Sequence, residues 1–432
     1  MPDLRVAFYG DDFTGSVDVL LQLTRAGWRS RLLLGLPDAD RLVRAAADVD
    51  AVGIAGIARS LPTEALEAEV RPALEALRAL GPRIVQYKAC STADSSPSIG
   101  SLGRVLEIAR DVFGPATVPV LFAQPDFGRF TVFGHHFAAE GGVVHRLDRQ
   151  PTMSHHPVTP MHESDLAVHL SRQTDLPLGH VPFPEYAHAG AVARRLEEAT
   201  EAALVLDALS DAHVDLVAEA IAAGSPPGTP RFALGSGGLS AGLGRALRRP
   251  GDGAGPSAVP LNPPGPVLAV SGSRSPQTAR QIEAAREAGW TVIPLSLGAA
   301  DPVGGVRERV LAELASGRSV AVTTGDAVAG ETAGAEGGPD LVATIARHLS
   351  ELVRSALTAG TRRVIVCGGD TSSRVVGLLG AESLSIAANP VGNVVLCRVA
   401  AAAGWLDGAE MLLKGGQVGP ADLFELVRTL GD

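Results

Sequence analysis

Apolar and polar positions along this chain come in alternating blocks. Short apolar runs such as "RVAFY" (Arg5 to Tyr9), "AVGIAGI" (Ala51 to Ile57) and "RIVQYK" (Arg83 to Lys88) are separated by longer amphipathic stretches, "PTEALEAEVRPALEALRAL" (Pro62 to Leu80) and "SIGSLGRVLEIARDVF" (Ser98 to Phe113). The short runs suit buried strands and the long ones crossover helices, so the alternation predicts strand and helix units around a mostly parallel sheet. The later half repeats the pattern with "VLAVSG", "SPQTARQIEAAREAG", "TVIPLS", "SVAVTT", "DLVATIARHLSELVRSALTAG" and "RRVIVCGG". Between the halves, "RRPGDGAGPSAVPLNPPGPV" (Arg248 to Val267) is too dense in Pro and Gly for a helix interior or a central strand. The expected fold class is therefore α/β, with two α/β domains of mostly parallel sheet at residues 1–248 and 267–432, joined by a linker at 249–266. A second Gly-rich segment, Gly325 to Leu341, has no apolar period and reads as an exposed loop.

Composition narrows the picture. Hydrophobic residues are 46% of the 432 and charged residues 19%, as in a packed globular protein. A net charge of -10 offers no general attraction to phosphate backbones or anionic lipid, so neither nucleic acid nor a membrane is an expected partner. "MPDLRVAFYGDD" lacks a basic segment followed by an apolar core, and no run of about 18 uninterrupted apolar residues follows. The three cysteines, Cys90, Cys367 and Cys397, show no CxxC spacing and suit a reducing cytoplasm.

Chemistry gathers where strands end. Directly after the first strand comes "GDDFTGSVD" (Gly10 to Asp18), with more polar groups than a turn needs. Asp11 or Asp12 suits a general base or a metal-steering carboxylate, Thr14 or Ser16 a hydroxyl contact, and the same residues also suit an N-cap cluster. After another strand, "YKACSTADSSPSIGS" (Tyr87 to Ser101) offers Lys88 to an anion and Ser91, Thr92, Ser95 and Ser96 to a polyol. Three further loops are expected to contribute Arg59, then Arg129 with His135 and His136 in "QPDFGRFTVFGHH", then His155 and His156. Each alone reads as structural or solvated, whereas together they describe a cleft for a small hydroxylated anion.

The later half carries phosphate-binding candidates. "AVSGSRSPQTARQIEAA" runs from strand through a Gly/Ser turn to a helix opened by Pro276, which brings hydroxyls and free N–H groups to a positive dipole end. "VIVCGGDTSSRVVGLLG" repeats the design, and "LLKGGQVG" adds Lys414 with Gly415 and Gly416. "GSGGLSAGLG" (Gly235 to Gly244) lacks the third glycine of a dinucleotide fingerprint, "DFG" at Asp126 to Gly128 has no kinase catalytic loop ahead of it, there is no GxxxxGK[ST], and the paired histidines lack HExxH spacing.

Taken in order, "GDDFTGSVD", "YKACSTADSSPSIGS", "GR" at Gly128 and Arg129, "HPVTPM", "SGSRSP", "GGDTSS" and "LKGGQVG" resemble the four-carbon acid sugar kinase family over nearly the whole chain. The "CST.DSS" and "HPVTPM" elements look most like its branch of 3-oxo-tetronate and 3-oxo-isoapionate kinases. The resemblance implies a sugar-acid-binding first domain, a nucleotide-binding second domain, and a cleft between them holding both ligands. The implied reaction is ATP-dependent phosphorylation of a terminal hydroxyl on a small sugar acid of 3-oxo-tetronate, threonate, erythronate or 3-oxo-isoapionate type, with Mg2+ bridging the ATP phosphates. By the same resemblance Ser271, Ser273, Gly368, Gly369, Asp370, Thr371, and Gly415 or Gly416 bind ATP. Asp12, with Asp11 as near rival, is assigned to accept the alcohol proton, and Arg59, Lys88 and Arg129 to hold the substrate carboxylate, with Ser91 and Thr92 beside them. Three departures from the family pattern stand out: Asp370 in "GGET", "NPVGNV" (Asn389 to Val394) in place of "PGVP", and Ala93 in place of the Phe of "STFDS". Two rival readings are a metal-dependent aldolase or lyase using the histidine pairs, and a sugar-acid sensor without turnover. A homodimer is compatible with the chain, though no segment demonstrates one.

Overall fold

The computed structural model describes residues 4–225, 228–249, 252, 260–298, 301–324 and 339–431. Most of the Gly-rich stretch at 325–341, much of the linker at 249–266, and the side chain of Asp370 lie outside the described residues. The chain forms two compact units, Met1–Ser257 and Ala258–Asp432.

In the first unit the strands are β1 (Val6–Gly10), β2 (Ser30–Leu34), β3 (Ala51–Ala55), β4 (Ile84–Lys88), β5 (Val118–Leu121), β6 (Arg129–Val132), β7 (His135–Glu140), β8 (Val143–Arg146), β9 (Leu178–Val181), β10 (Ala203–Leu206) and β11 (Arg231–Gly235). Its main sheet runs β2-β3-β1-β4-β11-β5-β10-β9, with parallel pairing throughout. Residues of β1, β3 and β4 are buried along their whole length, as expected when helices cover both faces of a parallel sheet. The helices Leu66–Ala79 and Leu102–Phe113 lay Val70, Leu74, Leu77, Val105, Leu106 and Ala109 against the sheet, closing one core. Tyr9 and Tyr87 stack there with ring centroids 5.4 Å apart, and the Tyr9 hydroxyl donates to Glu69.

One expectation fails here. "GRFTVFGHH" is not a loop: Arg129–Val132 and His135–Glu140 pair antiparallel, and β8 extends them to a three-stranded sheet. The turn has two residues, Phe133 (φ 51) and Gly134 (φ 79), in the left-handed conformation that tight hairpins need. A buried carboxylate explains why Phe133 tolerates it. Asp207 accepts from the amides of Phe133 (2.6 Å) and Gly134 (3.0 Å).

The second unit contains β12 (Leu268–Ser271), β13 (Thr291–Pro294), β14 (Val320–Thr323), β15 (Arg363–Cys367), β16 (Ser383–Val391), β17 (Val394–Ala400) and β18 (Glu410–Lys414). Their order is β13-β14-β12-β15-β18-β17-β16, parallel as far as β18 and antiparallel for the last two. The segment "NPVGNV" lies across the β16–β17 hairpin, with Gly392 at φ 48 in its turn. Val267, Ala269, Ile282, Ile365, Leu396, Leu412 and Phe424 form its core.

Candidate functional site

In the first unit the sheet order reverses around β1: the next strands in sequence, β2 and β3, lie on one side and β4 on the other. Such a reversal opens a crevice at the carboxyl ends of the strands. Backbone hydrogen bonds stitch the three strand ends together. The Asp11 amide donates to Lys88 O (3.0 Å), the Arg59 amide to Asp11 O (3.0 Å), and the Gly56 amide to Gly10 O (2.9 Å).

Asp12 is the N-cap of the helix Phe13–Arg25, accepting from the Gly15 amide through Oδ1 (2.9 Å), so the capping reading of this stretch is correct. Its other oxygen takes a hydrogen bond from Arg59 Nη2 (2.8 Å), which leaves the carboxylate fixed yet partly open to solvent. Asp11 is buried, and its Oδ1 has no hydrogen-bond partner. Burial, reinforced by Asp12 and opposed by Arg59 and Lys88, pushes its carboxyl up to about 7. Lys88 is 3% exposed, and its Nζ donates to Ala89 O (2.9 Å). The same Nζ lies over Gly15: a Cβ on that residue would come within 2.9 Å of it and collide with Asp12 Oδ1. Any larger residue there would displace one of the two charged groups.

The loop after β4 is held from below by two buried histidines. His136 Nε2 donates to Ser91 O (2.8 Å) while its Nδ1 accepts from Thr131 Oγ1 (3.0 Å), and burial pushes its imidazole down to about 3. His169, pushed down to about 4 by burial, meets Ser95 Oγ at 3.0 Å. Both rings are neutral at ordinary pH and serve as struts. Ser91 and Thr92 are buried, with Thr92 Oγ1 3.1 Å from Cys90 Sγ. Sequence reasoning passed over Asp94, which accepts from Thr159 Oγ1 and lies 4.0 Å from Arg59 Nε. Its signal was its place in the Ser-rich stretch, with Thr159 supplied by "HPVTPM".

Arg129 opens β6. Its Nη1 donates to the carbonyls of Phe127 (3.0 Å) and Ala139 (3.1 Å), and its guanidinium lies over the Phe127 ring. Among the described residues no carboxylate lies within ion-pair distance of it, although its Nε is buried without a partner. The other three histidines of the candidate loops are separately engaged: His135 Nδ1 with Ser164 Oγ (2.9 Å), His155 Nδ1 with Ser154 Oγ (2.9 Å), and His156 Nδ1 with Thr159 Oγ1 (2.9 Å).

The second unit gathers its candidates at the ends of β12, β15 and β18. Ser271 Oγ accepts from the Ser273 amide, Ser273 Oγ from the Ser275 amide, and Ser275 Oγ from the Gln277 amide, each at 3.2 Å. This ladder leads into the helix Pro276–Glu287, capped by Ser275 with Pro276 at its first position. The Gly368 amide donates to Lys414 O (2.9 Å), and Gly368 takes φ 116, a conformation that opens the helix Gly369–Leu379 beside Ser273 and Thr371. Lys414, 2% exposed, donates to Thr278 Oγ1 (3.0 Å), and Thr278 donates to Gly416 O (2.8 Å). Burial holds the Lys414 ammonium below the usual lysine range. Gln281 Nε2 fixes the following turn through Val418 O (3.0 Å) and Pro420 O (2.9 Å). Ser271, Ser273, Gly368, Gly369, Thr371, Gly415 and Gly416 thus share one end of the sheet, joined by Ser275 and Thr278, which the motif reading did not single out. Hydroxyls, two helix starts and a buried ammonium form a donor set suited to phosphate oxygens.

Residues 6–243 match the family model described as a sugar-binding N-terminal domain, and residues 268–424 match that of a nucleotide-binding C-terminal domain. The chain belongs to the four-carbon acid sugar kinase family. Among its curated relatives is a 3-oxo-isoapionate kinase of Paraburkholderia graminis, 37% identical over 98% of this chain and 94% of that one. A 3-oxo-tetronate kinase of Methylobacterium radiotolerans is 33% identical over 98% of both chains. A crystal structure from Salmonella typhimurium LT2, described as a putative tRNA synthase, superposes with a TM-score of 0.81 at 23% identity over 98% of both chains, a likeness of fold alone. No described helix is long and apolar enough to cross a membrane.

Proposed function

We propose that this member of the four-carbon acid sugar kinase family transfers the γ-phosphoryl group of ATP to the terminal hydroxyl of a small sugar acid, of 3-oxo-tetronate or 3-oxo-isoapionate kind, in the cytoplasm. In this reading residues 1–248 bind the sugar acid and residues 267–432 bind ATP. The observation that carries it is the Asp12–Arg59 pair at the reversal of a sheet within a sugar-binding domain. A capped, ion-paired carboxylate is pre-oriented, and orientation is the main thing phosphoryl transfer asks of a protein.

Asp12 accepts the proton of the alcohol as the oxygen attacks phosphorus, with Asp11 behind it as the rival acceptor. Arg59, Lys88 and Arg129 supply positive charge for the anionic reactants, and Ser91 and Thr92 line the loop beside them. In the second domain Ser271, Ser273, Gly368, Gly369, Asp370, Thr371, Gly415 and Gly416 surround the nucleotide phosphates. Mg2+ enters with ATP as part of the donor, where it neutralises the phosphate oxygens.

A coupled assay for ADP, run over four- and five-carbon sugar acids with ATP and Mg2+, tests this reading. ADP formation should depend on one or a few of these acids. Cleavage of the sugar acid without ADP would instead favour a lyase, and binding without turnover a sensor. The lyase reading is disfavoured because, among the described residues, no three His, Cys, Asp or Glu side chains are grouped as metal ligands.

A further inference from the structure

Lys88 stands out among the charged groups of the first unit. It is 97% buried by its 3% exposure, yet its ammonium has a single hydrogen bond, to the neutral Ala89 carbonyl, and no carboxylate within ion-pair distance among the described residues. Burying an ammonium with one neutral hydrogen-bond partner is costly, and the neighbouring Asp11 and Asp12 carboxylates act on it only from beyond ion-pair distance. The cost is understandable if an anion completes the shell when ligands are bound. The direction of the side chain says where that anion sits. Nζ points over Gly15, in the first turn of the helix Phe13–Arg25, on the same face as Asp12 Oδ1. Helix starts favour anions through free amides and the dipole, so ammonium and helix start act on one point.

Resting on the kinase reading above, we infer that Lys88 binds the phosphoryl group in flight, not the substrate carboxylate. Asp12 is the proton acceptor in that reading, so the attacking hydroxyl lies against it, and a cation on the same glycine faces the reacting end of the substrate. The carboxylate of a four-carbon acid is at the other end. Arg59, one edge of which pairs with Asp12 while Nε looks toward Asp94 at 4.0 Å, is left to the body of the substrate. In the step itself the alcohol oxygen forms a bond to Pγ, and the bond from Pγ to the β–γ bridging oxygen breaks with its electron pair going to ADP. The alcohol proton passes to Asp12, while Lys88 donates to a non-bridging oxygen of the moving group throughout.

The test uses the full chain. Lys88→Met should lower kcat about 10²- to 10³-fold, the scale of a lost charge-stabilising donor. Its sugar-acid affinity by calorimetry should stay within about threefold of the parent, since a contact made only in the transition state leaves ground-state binding alone. Binding of ADP with aluminium fluoride in the presence of sugar acid, which mimics the moving phosphoryl group, should weaken by a fold-change similar to that in kcat. Should Lys88→Met not fold, Lys88→Arg keeps the charge but displaces it, and kcat must again fall while sugar-acid affinity stands. A variant that loses sugar-acid affinity with kcat intact, or keeps both, overturns the inference alone. A parent protein that makes no ADP with any sugar acid overturns the kinase reading and this inference with it.

Discussion

Arg59 Nη2 lies 2.8 Å from Asp12 Oδ2, tying the segment after β3 to the residue that caps the helix after β1. The pair fixes Asp12 in two directions, because its other oxygen is held by the Gly15 amide. Asp12→Asn keeps the shape and the cap but cannot accept a proton, so kcat should fall about 10²-fold or more. ATP affinity should be unchanged, because the substitution lies in the other unit. Steady-state kinetics beside ATP calorimetry check this, and turnover within a few-fold of the parent would move the role to Asp11.

The nucleotide side is tested at Gly369, the first residue of the helix that follows Gly368. A Cβ there would meet no protein atom within 4 Å, so Gly369→Val should fold normally. The added branches would fill space needed by a phosphate, and ATP affinity should drop about tenfold or more while sugar-acid affinity persists. Equal ATP titrations for variant and parent would remove Gly369 from the nucleotide site.

Much of this arrangement was readable in the sequence because strand ends and helix starts are written locally. "GDDFTG", "SGSRSP" and "KGGQ" each join an apolar run to small or polar residues, and the structure brings the last of these to the same sheet end as Ser273. Contacts between distant segments were not readable. Nothing near Phe133 announces that Asp207, 74 residues later, holds its turn, so the sequence reads there as a loop although the chain forms a hairpin. Asp94 and Thr159 meet across 65 residues, and His136 reaches Ser91 across 45. Such pairs follow from the fold and leave no periodic mark.

The long-range strut at His136 gives a third prediction. His136→Phe keeps the bulk but removes both the donor to Ser91 O and the acceptor for Thr131, leaving buried polar groups unpaired at about 1–3 kcal/mol. Stability should fall by that amount in urea titration, and KM for the sugar acid should rise as the Ser91–Thr92 segment loosens. An unchanged KM beside lowered stability would mean that the histidine supports the fold without shaping the loop.

Asp11 supplies a pH dependence whose sign can be worked out. Its carboxyl ordinarily titrates near 3.8 and is pushed up to about 7 in the folded chain, chiefly by burial. Between these values the folded state holds a proton that the unfolded state has lost, so stability falls as pH rises through the window. The loss is complete above about pH 7 and absent below about 4. Asp11→Asn removes the titrating group, and should therefore be more stable than the parent at pH 8 by more than about 1 kcal/mol, one pKa unit corresponding to about 1.4 kcal/mol. The advantage should shrink toward pH 4.5, which denaturant titrations at the two pH values will measure. A variant less stable than the parent at pH 8 would mean that the charged carboxylate is favoured by Arg59 and Lys88 more than burial opposes it. The same protein separates the two carboxylates in function. With Asp12 as the proton acceptor, Asp11→Asn should lose less in kcat than Asp12→Asn, whereas the reverse order would make the buried, near-neutral carboxyl the acceptor.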